Sequence, residues 1–194
     1  MNVLEAIESR RSIRRFTQTP VSAEILEKII DVSRLYASGR NLQPIRFGVV
    51  AKKENTDKLF PLLKWAGYLP DFTITEAQRP TVYVVLCAEE PAGCMFDIGA
   101  ASTSIMLAAK EFGLDSCCLM SFQAQPLRQI LNLSENLKPA MVIALGYPDQ
   151  QSRAVPFTED CKYFETPDGV LNVPKYATSQ LLIYSDTESN RKGP

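Results

Sequence analysis

The chain contains no histidine, the side chain that most often moves protons near neutral pH and most often ligates zinc. Imidazole-based triads and histidine-ligated metal centres are therefore excluded. Its five cysteines, at 87, 94, 117, 118 and 161, are odd in number and form no CxxC pair, so neither a zinc ribbon nor a disulfide framework is expected, and the thiols read as reduced. No apolar run approaches the roughly 18 residues that a membrane span needs. The N-terminal "MNVLEAIESRR" has no basic-then-apolar signal pattern, and a cytoplasmic protein without membrane attachment is expected. An excess of charge is also lacking: 21 Lys and Arg face 22 Asp and Glu, so no large field draws in nucleic acid or an anionic bilayer. GxGxxG, the Walker-type phosphate loop, internal repeats and low-complexity tracts are all missing. If the chain is an enzyme, a cofactor such as a flavin is expected to carry the chemistry, leaving the protein to supply binding and electrostatics.

The 194 residues are 45% hydrophobic, enough for one buried core at the usual roughly 100 to 200 residues per domain. A single domain over residues 1–184 is expected, followed by a polar, disordered tail at 185–194, "SDTESNRKGP". Residues 2–9 read as a short amphipathic helix with Val3, Leu4 and Ile7 on one side. Ser22 is placed to cap a helix running to Tyr36, with Ile25, Ile29 and Val32 as its buried stripe. "IRFGVVAKK", "PTVYVVLCA", "SCCLMSF" and "KPAMVIALGYP" read as strands. "TDKLFPLLKWAG" is a helix interrupted or ended by Pro61, and "AQPLRQILNL" is a further helix. Residues 65–80 read as a surface loop. The 96–112 segment is a helix that is apolar or small nearly all round, ended by Gly113, so it must be buried by its own sheet or by a second subunit. "KYFETPDGVLNV" contains a Pro-Asp-Gly turn and reads as a hairpin. Interleaved helices and strands give an α+β fold with a mixed, mainly antiparallel sheet flanked by helices.

Three constellations carry candidate chemistry. Arg10, Arg11, Arg14 and Arg15 surround Ser12 at the end of the first helix. They either complement that helix's dipole as solvated cations or form a phosphate cradle in which guanidinium forks pair with oxygens. "ASGRNLQP" offers small residues and two amides, Asn41 and Gln43, which either turn the chain into a strand or meet a ligand. Cys117 and Cys118 are adjacent on a strand, point to opposite faces and read as small hydrophobes.

In this order the segments resemble the FMN-dependent nitroreductase family. "RRSIRRF" at 10–16 looks like the family's Arg-x-Ser-x-Arg motif, and "ASGRNLQPIRF" at 37–47 like its Pro-Ser-x-x-Asn-x-Gln-Pro motif. The Ala-rich helix, "GLDSCC" and "GYP" follow in the family's order. The resemblance implies an intertwined homodimer in which FMN sits at the interface, with the arginine segment contributed by one subunit and the Asn-x-Gln-Pro loop by the other. Carried over by position, Arg10 and Ser12 hold the phosphate and Arg11 contributes mainly through its backbone. Arg14 lies by the pyrimidine edge of the flavin, where charge builds on reduction. Ser38, Gly39 and Asn41 contact ribityl or ring atoms, and Gln43 braces their loop. Met120 and Ser121 present backbone near the reactive edge. Lys175 closes on the phosphate, with Arg153 as the competing cation. The sequence departs from the family pattern at Ala37, Ile45 and Tyr176, which touches substrate choice more than phosphate charge. The implied activity is hydride transfer from NADH or NADPH through FMN to a small electron-poor acceptor, a nitroaromatic or quinone, in a ping-pong cycle. An FMN-dependent ene-reductase or dehydrogenase, or a non-catalytic flavin-binding protein, are the alternatives.

Overall fold

Strict alternation along the central strands decides the architecture. Val82, Val84, Leu86 and Ala88 face one hydrophobic cluster, while Tyr83, Val85 and Cys87 face the other, as period-2 side-chain geometry requires. The computed structural model describes residues 1–186. Four strands, β1 (Arg46–Val50), β2 (Val82–Ala88), β3 (Asp115–Leu119) and β4 (Lys138–Gly146), form an antiparallel sheet in the order β1-β2-β4-β3. The two most apolar strands, β2 and β4, are central and buried on both faces.

Helices cover both sides. Helix α2 (Ala23–Ser33) and α4 (Met95–Glu111) pack on the Val84 face, and α3 (Lys53–Leu59) and α5 (Ala124–Leu131) on the Val85 face. The N-terminal α1 (Val3–Ser9) opens on a capping box in which the Asn2 side chain accepts from the Glu5 amide and Glu5 accepts from the Asn2 amide. Ser22 caps α2 through the Ile25 amide. Gly113, at φ +70°, terminates α4 by donating back to Lys110. Pro61 ends α3 in a 3-10 turn at Phe60–Leu62.

Several expectations are corrected. The buried stripe of α2 is Leu26, Ile29 and Ser33, with Val32 49% exposed. The helix is turned so that small Ser33 faces the core, and it stops three residues early because Tyr36 swings inward to accept from the Ile45 amide. On α1 only Ala6 is buried, and Val3, Leu4 and Ile7 face outward. A 21-residue helical stretch, Pro91–Glu111, is apolar and long enough to span a bilayer by composition, although no unbroken apolar run of that length exists. Its Ile98, Ala101 and Ile105 are packed on the sheet.

A second sheet was not anticipated. Strand β5 (Ser152–Pro156) pairs in parallel with β7 (Leu171–Lys175), which pairs antiparallel with β6 (Phe164–Glu165). The expected hairpin is β6–β7, turned at Gly169 with φ +81°. A short α6 (Thr178–Leu181) follows. The polar tail begins with exposed Ser185 and Asp186, and its remainder lies outside the described residues.

Candidate active site

The "RRSIRRF" segment continues the main sheet. The Ile13 amide donates to the Ser116 carbonyl at 3.0 Å and Ser12 bridges Ser116 in parallel, so the segment lies as an extra extended stretch outside β3. Ile13 and Phe16 enter the core. Gly146, where β4 ends, leaves room for this: a Cβ there would meet the Phe16 ring at 3.1 Å and Thr81 Oγ1 at 3.2 Å. Phe16 also bridges Pro148, so the "RRSIRRF" and "GYP" segments fold against one another.

With Ile13 and Phe16 anchored inward, Arg10, Arg11, Ser12 and Arg14 line a small cleft of about 140 Å³, closed by Tyr163, Leu171, Val173 and Lys175. Among the described residues none of Arg10, Arg11, Arg14 or Lys175 forms an ion pair. Arg11 Nη1 donates to the Arg10 carbonyl at 2.6 Å, and Arg14 Nη1 reaches the Ser12 carbonyl at 3.4 Å. The Nε atoms of both Arg11 and Arg14 are buried without a partner. Burial, and secondarily the charge of Arg10, lowers the Arg11 pKa. Such a cluster can receive an anion, which would offset the desolvation of the buried Arg11 and Arg14 donors, with half-exposed Arg10 and exposed Lys175 adding charge at the rim. Of the two late cations only Lys175 lines this cleft. Arg153 stands opposite Asn172 across the β5–β7 pair and donates Nε to its Oδ1 at 2.8 Å.

The other half of the sequence-derived site lies elsewhere. Gly39 lines a broad cavity of about 890 Å³ with Arg40, Arg46, Phe96 and Asp97. Ser38, Asn41 and Gln43 stand on the same loop. Arg40, Asn41 and Gln43 have φ of 49°, 56° and 48°, three left-handed non-glycine residues within four positions, each of which costs free energy that the surroundings must offset. Ser38 Oγ accepts from the Gln43 amide at 2.8 Å, Gln43 Nε2 donates to the Asn41 carbonyl, and Asp97 Oδ1 accepts from the Gly39 amide at 3.2 Å. Gln43 therefore braces the loop through both backbone and side chain.

This loop leads into β1, whereas the arginine segment lies beyond β3, at the opposite edge of the four-stranded sheet. Across the sheet alone, four spacings of ~4.8 Å set the two halves ~19 Å apart within one chain, and they lie toward opposite ends of the strands as well: the loop enters β1 level with Pro139 of β4, whereas Ser12 is level with Leu145. Met120 and Ser121 follow β3 on the arginine side. Met120 is 56% exposed, and the Ser121 carbonyl accepts from the Lys64 amide.

Residues 7–67 and 77–147 match the nitroreductase family model. The chain belongs to the nitroreductase family. It is 30% identical over 156 residues to a putative NADH dehydrogenase/NAD(P)H nitroreductase of Methanothermobacter thermautotrophicus, covering 76% of this chain and 78% of that relative. It is 25% identical over 208 residues to an NADPH-flavin oxidoreductase of Vibrio harveyi, covering 98% and 86% of the two chains. Among solved structures, a putative NADH dehydrogenase/NAD(P)H nitroreductase from Parabacteroides distasonis superposes with a TM-score of 0.66 at 26% identity, over 82% of this chain and 94% of that one.

Sequence reasoning missed Tyr163 and Asp97 as members of these two lined spaces. Asp97 carried a weak signal as an acid in the first turn of an otherwise apolar stretch; Tyr163 carried none, since only the tertiary packing of the second sheet brings it to the arginines. Burial raises the thiols of Cys87 to about 11 and Cys118 to about 12, and raises those of Cys94 and Cys117 as well.

Proposed function

We propose that this nitroreductase-family chain is an FMN-dependent oxidoreductase that takes a hydride from NADH or NADPH and delivers it to a small, electron-poor acceptor of the nitroaromatic or quinone type. The observation that carries the reading is the uncompensated cation cluster of Arg10, Arg11, Arg14 and Lys175 around one small cleft, which fits a single terminal phosphate. Bound FMN supplies the hydride relay between donor and acceptor. Arg10, Ser12 and Lys175 hold the phosphate, and Arg14 offers a fixed positive charge where electron density increases on reduction, which favours the reduced state. Such a division of labour needs no protein acid or base with a tuned pKa, in keeping with a chain without histidine.

A homodimer with FMN at the interface completes the site. Its support is the ~19 Å separation of the two halves within one chain, together with apolar surface that the chain itself leaves uncovered. Val3 and Leu4 on α1, Phe96 at 96% exposure on α4, and Ile183 at 100% exposure near the C-terminus all face outward. A second copy would seat the strained 38–43 loop against the arginine cleft. Residues 1–184 then act as one FMN-binding unit, and the unpaired cysteines fit the reducing cytoplasm, the proposed location.

The test is an absorbance spectrum of the FMN-saturated protein before and after anaerobic NADH or NADPH. Rapid bleaching identifies the donor. Steady-state lines that run parallel at several acceptor concentrations are expected for the alternating cycle, and intersecting lines would rule it out. Flavin that neither donor bleaches faster than free FMN would leave a binding role in place of the reductase.

A further inference from the structure

The family match has a gap at residues 68–76 and ends at residue 147, and both unmatched segments converge on the arginines. The Tyr163 ring lies under the Arg14 guanidinium, 4.5 Å from its carbon to the ring centroid. Tyr68 packs on Tyr163 with centroids 5.1 Å apart. Arg15 grips both carboxylate oxygens of Glu165, and its own guanidinium sits 4.4 Å over the Phe72 ring and donates to the Thr73 carbonyl.

We infer that Tyr163 is a positioning residue that fixes Arg14 for the flavin without cancelling its charge. Arg14 is 8% exposed, yet among the described residues its guanidinium has no carboxylate partner, only the 3.4 Å contact to the Ser12 carbonyl, and its Nε is unpartnered. Little besides the aromatic face therefore sets its orientation. A carboxylate in that position would hold the guanidinium equally well and would neutralise it. A π face attracts the cation through its quadrupole and leaves the net positive charge available to a reduced cofactor. The neighbouring Arg15–Glu165 pair makes that contact durable: it clamps Glu165 of β6, two residues along the chain from Tyr163, to the same extended segment that carries Arg14. The 68–76 segment and the β6–β7 hairpin, both outside the family match, thus buttress the arginine segment.

The inference rests on the FMN reading, and the experiment separates the two. FMN dissociation constants and the midpoint potential of the bound flavin are measured for the full chain and for Tyr163→Phe, Tyr163→Leu and Glu165→Gln. Tyr163→Phe, which keeps the π face, should stay within about twofold of the parent affinity at an unchanged potential. Tyr163→Leu should bind FMN roughly 3- to 30-fold more weakly and shift the potential to more negative values. Glu165→Gln should shift both in the same direction by less, which keeps the test open where the leucine variant does not fold. A merely structural tyrosine would lower Tm and affinity while leaving the potential of the bound flavin unmoved, and that result, or an unchanged Tyr163→Leu protein, overturns the inference. A parent chain that binds no FMN overturns the function reading, and this inference with it.

Discussion

If each flavin site draws its arginines from one protomer and its loop from the other, two individually defective chains should repair one another. Arg10→Met removes a charged donor from the phosphate cleft; losing a hydrogen bond to a charged group costs about 1.5 to 3 kcal/mol, or roughly 10- to 150-fold in affinity. Asn41→Asp keeps a residue type that tolerates the φ of 56° at this position but replaces an amide donor with a negative charge. Each homodimer carries its lesion in both sites and should retain little flavin. In a heterodimer of the two variants, one site receives both lesions and the other receives neither. Co-expression with two different tags and double purification isolates that species, which should bind about half the parent's flavin per dimer at parent affinity. Placing both halves within one chain gives the opposite expectation, because every site would then hold one lesion. A doubly tagged heterodimer as empty as its parents would refute the sharing of each site between two protomers.

Other expectations are more local. Lys110 donates to both oxygens of largely buried Asp115 at 3.0 and 3.2 Å, and burial, partly offset by Lys110, raises the Asp115 pKa. A raised folded-state pKa gives stability that is complete below the ordinary Asp value of about 4 and is lost as pH rises through the folded value. Lys110→Met should therefore cost about 3 kcal/mol at neutral pH and much less near pH 3.5, as read by denaturant unfolding at both; equal losses would count against the ion pair. Gly146→Val should lower stability by about 1 to 3 kcal/mol and weaken FMN binding, because a Cβ there presses on Phe16 and so on the arginine segment; calorimetry and flavin titration check the two effects. Lys175→Met should weaken FMN binding by about tenfold or more while Arg153→Met leaves it within about twofold, and the reverse order would move the phosphate contact to Arg153. Replacing exposed Leu182 and Ile183 by aspartate should raise the monomer fraction in sedimentation and lower flavin content together.

Much of the fold was legible because burial follows local periodicity. The apolar runs of β2 and β4, the helix cap at Ser22, the Gly113 stop and the Pro-Asp-Gly turn at Gly169 all act within a few residues, so the sequence determined those elements and clustered the arginines beside Ser12. Composition also excluded histidine chemistry outright. Tertiary structure decided what local pattern cannot encode: which side of α2 meets the core, the parallel pairing of β5 with β7, and the left-handed run at 40–43. It also decided that Lys175 reaches the cleft while Arg153 turns to Asn172. The Arg15–Glu165 clamp joins residues 150 positions apart, and contacts of that span exist only once the chain has closed on itself. The sequence therefore supplied the chemical groups, and packing over long chain separations chose which of them share a cleft, because charge and shape are properties of residues whereas adjacency is a property of the fold.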